Sequence, residues 1–84
     1  MNEFDAKLNR LRWRCRRGIK EVEILLQAFF ERYYLTLTAD RQALFERLLT
    51  CEDADLFEWL THRSEPQDAQ LKAMVDDLLC SLAA

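Results

Sequence analysis

The chain has 84 residues, enough for one small domain that buries roughly 60 to 65% of its unfolded surface and too few for a second. Half of the residues are hydrophobic and 32% are charged, while glycine and proline occur once each, which excludes a fold built on many tight turns. The net charge of -3 is uneven: residues 1–20 carry seven Lys/Arg against two acids, and residues 21–84 carry five against thirteen. A basic end on an acidic body either orients the protein towards an acidic partner surface or serves only to keep a helical bundle soluble.

Taken in chain order, Phe4, Leu8, Leu11 and Cys15 share one helical face, predicting a first helix from about Glu3 to Arg17. Val22, Leu25, Leu26, Phe29, Phe30, Tyr33 and Leu37 keep helical spacing through the most aromatic segment, with Ile24 and Tyr34 widening the stripe, and predict a long central helix. The phase does not slip between the two, but one helix from Phe4 to Leu37 would span roughly 51 Å, too long for a domain of this size. A break at Gly18 also places Arg14, Arg16 and Arg17 at a helix C-terminus and Glu21 and Glu23 at a helix N-terminus, where each sign suits the dipole. Gly18 is then expected at the C′ position of the first helix.

Thr38 is the expected N-cap of a third helix carrying Leu44, Phe45, Leu48 and Leu49. Asp53 is the expected cap of a short fourth one, with Leu56, Phe57 and Leu60 inward and Trp59 at an edge. After the loop-like "HRSEPQD", Pro66 is expected in the first turn of a last helix that turns Leu71, Met74, Val75, Leu78, Leu79 and Leu82 inward. The expected fold is all-α, a compact bundle of about five helices forming a single domain over residues 1–84, without strand, internal repeat or low-complexity segment.

Three cysteines, Cys15, Cys51 and Cys80, form no CxxC or Cys/His cluster, so buried or half-buried free thiols are expected rather than a disulfide framework or a zinc site. The N-terminus is charged where a signal peptide needs an apolar run, and no apolar stretch reaches the ~18 residues of a membrane span. A soluble, cytoplasmic protein without direct membrane insertion is the expectation. Catalysis finds no support: His62 is alone, and neither a nucleophile motif nor a phosphate loop nor HExxH is present. Asp53, Asp55 and Glu58 lack the spacing of a calcium loop and read as capping and solvated residues. The basic stretch Arg10 to Lys20 with Trp13 embedded has the residue types of a nucleic-acid site, but the acidic remainder and the absence of a recognition motif argue against one.

Arg17, Gly18 and Glu21 remain. An Arg before Glu at four residues is the weaker order for a helical pair, about 0.2 to 0.5 kcal/mol at best, and does not explain a glycine between them. A mid-helix glycine would cost about 1 kcal/mol against alanine. At a hinge it is either purely structural or lets another backbone come close.

"WRCRRGIKEVE", read as WxCRRGxxExE, followed in order by "FFERYY", "LLTCEDADLFEWL" and "DAQLKAMV", resembles the FAD assembly factors of succinate dehydrogenase and fumarate reductase, known in mitochondria as succinate dehydrogenase assembly factor 2. The likeness runs from about Leu8 to Val75, and departs in having Ala54 where many members have proline. It implies five helices, no enzyme activity and no cofactor of the protein's own. The implied partner is the flavoprotein subunit of succinate dehydrogenase or fumarate reductase, to which FAD becomes covalently attached at a histidine. The RGxxE element carries over as Arg17, Gly18 and Glu21, implying a partner-binding surface with Arg14, Arg16 and Lys20 as its rim on a monomeric protein. A second binding role goes with the same resemblance, that of the antitoxin in a membrane-toxin pair. The recovered partner distinguishes the two.

Overall fold

The computed structural model describes residues 2–83, and these form five α-helices with no strand. The helices are α1 (Glu3–Arg14), α2 (Lys20–Tyr33), α3 (Ala39–Leu48), α4 (Asp53–Leu60) and α5 (Ala69–Ala83), with a 3-10 turn at Tyr34–Thr36. The all-α bundle expected from the spacing of apolar residues is the observed fold. Its radius of gyration, 12.3 Å, is close to the ~12 Å of a compact chain of this length.

α2 is the centre, packing against α4 and α5, while α3 packs on α5. Its buried Phe29 and Phe30 meet Phe45 of α3 at centroid distances of 5.5 and 6.2 Å, and Tyr34 closes the cluster at 5.8 Å from Phe45. Stacked and tilted ring pairs at such distances contribute beyond the area they bury. The Tyr34 hydroxyl donates to Glu46 at 2.7 Å, so its polar end is satisfied inside the bundle. α5 contributes Leu71, Met74, Val75 and Leu78 to the core. α1 is peripheral: of its residues only Leu11 is buried, joined by Cys15 at the C-cap. Burial pushes the Cys15 thiol up to about 12, which keeps it a neutral packing group.

Several expectations need correction. α1 ends at Arg14, not Arg17, and Gly18 is not its C′ residue: the C-cap is Cys15, and Gly18 does not adopt positive φ. In a continuing helix the Gly18 amide would donate to the Arg14 carbonyl; here Arg17 Nη1 donates to that carbonyl at 3.0 Å and the Gly18 amide turns elsewhere. α2 stops at Tyr33, before Leu37, and tightens into the 3-10 turn, where the Tyr34 carbonyl accepts from the Gln42 side chain at 3.0 Å. Ile24 does not widen the apolar stripe but is 55% exposed. Cys80 is exposed as well, while Cys51 is half-buried.

Thr38 caps α3 as expected, accepting from the Arg41 amide at 3.3 Å. Asp53 does not cap α4: the N-cap is Glu52, and Asp53 is the first helical residue with its side chain turned to the α1–α2 connection. Pro66 is buried in the loop ahead of α5 rather than in its first turn, because Asp68 holds the cap. Asp68 Oδ1 accepts from the amides of Gln70 and Leu71 at 2.9 and 3.0 Å, while Oδ2 accepts from Arg47 of α3 at 2.6 Å. His62 follows α4 with φ of 61°. The His62 amide donates to the Trp59 carbonyl at 3.3 Å and the Arg63 amide to the Glu58 carbonyl at 2.8 Å, the paired bonds of a left-handed helix stop.

Candidate partner-binding site

The sequence between α1 and α2 reads Cys15-Arg16-Arg17-Gly18-Ile19, and Arg17 organises it. Its side chain is only 14% exposed, and all three guanidinium nitrogens are used within the fold. Nε donates to Asp53 Oδ1 at 2.6 Å, Nη1 to the carbonyls of Arg14 and Leu49 at 3.0 and 2.9 Å, and Nη2 to the Cys51 carbonyl at 2.6 Å. Arg14 ends α1 and Leu49 is the C-cap of α3. Those carbonyls lack amide partners and lie at the negative ends of two helix dipoles, which is where a cation is stabilised.

Asp53 completes the link from α4. While Oδ1 takes Arg17, Oδ2 accepts from the Gly18 amide at 3.0 Å. The Arg17 hydrogen bond, and then that of the Gly18 amide, hold its carboxyl below the usual carboxylate range. A third tie comes from α2, which has no side-chain cap at Ile19. Glu23 instead folds back so that Oε1 accepts from the Arg17 amide at 2.9 Å.

This geometry explains why glycine occupies position 18. A Cβ there would lie 3.3 Å from Asp53 Oδ2, closer than ordinary contact, and Asp53 cannot withdraw without loosening Arg17. The glycine serves a close approach from within the protein rather than a left-handed turn.

The other residues expected at this site lie around the turn with different fates. Gly18, Lys20, Glu21, Arg14 and Arg16 are exposed, whereas Arg17 is half-buried. Glu21, in the first turn of α2, has no hydrogen-bond or ion-pair partner among the described residues. Lys20 Nζ is 3.8 Å from Glu23 Oε2. Arg14 reaches only the Glu46 carbonyl, at 3.4 Å, and the Arg16 guanidinium lies 5.1 Å from the Trp13 ring centroid. The turn is thus fixed from inside by Arg17, Glu23 and Asp53, and presents the free carboxylate of Glu21 together with the exposed cations of Arg14, Arg16 and Lys20.

Sequence reading alone missed the roles of Glu23 and Asp53. Glu23 carried a signal, since it stands inside the WxCRRGxxExE pattern; Asp53 carried none, because nothing local announces a partner 35 residues away. Among the described residues no group of three or more His, Cys, Asp or Glu side chains is placed to hold a metal ion. No helix among them is long and apolar enough to cross a membrane.

Comparison with known proteins agrees with the motif. The family described as flavinator of succinate dehydrogenase matches residues 9–81. A relative from Pseudomonas aeruginosa named FAD assembly factor SdhE is 45% identical over 75 residues, covering 89% of each chain. Relatives of the same name from Yersinia pseudotuberculosis and a Serratia species are 47% and 50% identical over 73 and 66 residues. The alignments cover 87% and 79% of this chain and 82% and 75% of those relatives. With the family pattern running through α1 to α5 and nearly half of the aligned positions identical, this chain belongs to the succinate dehydrogenase flavinator family of FAD assembly factors.

Proposed function

We propose that this protein binds the flavoprotein subunit of succinate dehydrogenase, of fumarate reductase or of both, and promotes covalent attachment of FAD to that subunit. It does so as a cytoplasmic monomer without a cofactor or catalytic group of its own. The binding surface is the α1–α2 turn: Gly18 and Glu21 at its centre, Arg14, Arg16 and Lys20 at its rim, and Arg17 as the internal support that gives the turn its shape. The observation carrying this reading is the contrast between Arg17, bonded within the fold at all three guanidinium nitrogens, and Glu21, exposed with no partner among the described residues.

A helper of this kind needs no reactive group. Bond formation between flavin and histidine belongs to the partner, and a protein that binds more tightly to the partner conformation aligning the two raises the population of that conformation. A rigid turn suits this role, because little ordering is left to occur on binding. Glu21 offers an acceptor to a donor on the partner, a charge-assisted bond of about 1.5 to 3 kcal/mol when desolvated.

The test is genetic and biochemical. A strain lacking the gene is expected to lose the covalent-flavin fluorescence band of the dehydrogenase subunit in a denaturing gel, and wild-type protein to restore it. Normal fluorescence in the deletion strain overturns the proposal.

A further inference from the structure

Trp13 is the most exposed large hydrophobic side chain among the described residues, at 68%. Its indole stands beside Arg16, and both line a shallow depression between α1 and α2 to which Gln27 contributes from the other wall. Ile24 lies one turn after Lys20 and Glu21 and one turn before Gln27, so its exposed side chain extends apolar surface from this depression towards the free carboxylate of Glu21. Trp13 lies in the last turn of α1, one residue ahead of the Arg14 carbonyl that Arg17 holds, so its backbone is fixed by the same link that shapes the turn.

One cation of this face, Arg16, is left without a counter-charge. It has no carboxylate partner among the described residues, whereas Arg12, which lines the same depression, pairs with Glu31. Lys20 has only its 3.8 Å contact with Glu23. A tryptophan and an isoleucine left bare, flanked by Arg16 and Lys20, match the composition of interface centres, where Trp and Arg dominate the binding energy.

We infer that the face formed by Trp13, Arg16, Lys20 and Ile24 receives an acidic segment of the flavoprotein subunit, an apolar side chain of that segment covering the indole and its carboxylates pairing with Arg16 and Lys20. The inference rests on the function proposed above and extends it from the RGxxE turn to a neighbouring face of different chemistry. Two features select this occupant: the cations of Arg16, beside the indole and without a carboxylate partner among the described residues, and of Lys20, only loosely held by Glu23; and continuity through Lys20 with the surface around Glu21. A cation over the indole also orders both side chains before the partner arrives.

The experiment measures binding to the purified flavoprotein subunit. Trp13→Ala is expected to weaken binding about tenfold or more, Ile24→Ser by a smaller factor, and Arg16→Glu most strongly at low salt, where the charge term is largest. Leu35→Ala, removing an exposed apolar side chain at the far end of α2, is expected to leave affinity within about twofold. A Trp59→Phe protein, in which Trp13 is the sole indole, is expected to show blue-shifted emission and protection from acrylamide on adding the subunit. Wild-type protein that fails to bind the subunit overturns the proposed function itself. If wild-type protein binds and Glu21→Ala weakens it, while Trp13→Ala retains full affinity at an unchanged melting temperature, the function stands and this inference falls.

Discussion

The two connections before α2 and before α5 are built from similar parts and use them oppositely. Each is pinned by an aspartate whose two oxygens divide between an arginine and backbone amides: Asp53 between Arg17 and Gly18, Asp68 between Arg47 and the amides of Gln70 and Leu71. Yet the chain's single glycine stands in the connection without a left-handed residue, while the left-handed position before α5 is filled by His62. A glycine is expected first where φ is positive. Here the approach of a carboxylate to the backbone at Gly18 decides its place, and His62 bears the strain of the other turn.

The largest effect is expected from breaking the first connection at Arg17. Arg17→Ala removes four hydrogen bonds and leaves Asp53 Oδ1 and the carbonyls of Arg14, Leu49 and Cys51 without that donor. The expected loss is about 2 to 4 kcal/mol, or roughly 10 to 20 °C in melting temperature, read by thermal denaturation. A shift of a degree or two would show that Arg17 does not support the turn. Asp53→Asn keeps the shape but weakens both contacts, with an expected loss of about 1 to 2 kcal/mol in denaturant melts.

Acid sharpens the comparison, because both aspartates have lowered pKa values in the fold: Asp68, hydrogen-bonded first by Arg47 and then by the Leu71 amide, stands at about 2, and Asp53 is shifted in the same direction. As pH falls below about 4 the unfolded chain takes up these protons before the folded one does, so the stability these two carboxylates contribute, fully present above that range, declines towards pH 2. Replacing both residues by asparagine is expected to flatten that slope. An unchanged slope would mean that neither connection depends on its carboxylate charge.

The smallest effect has the opposite sign. His62→Gly relieves a positive φ that a Cβ disfavours, and after allowing for glycine's greater freedom in the unfolded chain it is expected to stabilise the protein by about 0.5 to 1 kcal/mol. Gly18→Ala, by contrast, gains no such relief and is expected to destabilise, since its methyl meets Asp53. If both substitutions stabilise, the distinction between the two connections fails.

These differences mark what was legible in the sequence. Helical periodicity located all five helices and nearly every buried side chain, because the amphipathic stripe records the same burial that holds the bundle together. Ile24 was misassigned, since spacing alone does not distinguish an apolar residue left on the surface from one in the core. The helix ends after Arg14 and before Ala69 were shifted because nearby side chains satisfy the backbone there, Arg17 at the Arg14 carbonyl and Asp68 at the amides of Gln70 and Leu71. At the candidate site, the motif pointed to Arg17, Gly18 and Glu21 together, but only the fold separates an arginine turned inward from a glutamate turned outward. Asp53, in a different helix, became readable only once α4 was placed against the turn.

That separation is the central claim, and it is tested most directly by the covalent-flavin fluorescence of the dehydrogenase subunit in a deletion strain supplied with Glu21→Ala. The exposed carboxylate has no internal partner, so this variant is expected to melt within a degree or two of wild type and to be present at normal levels while flavin incorporation falls sharply. Full flavin incorporation by a stable Glu21→Ala protein would contradict the account.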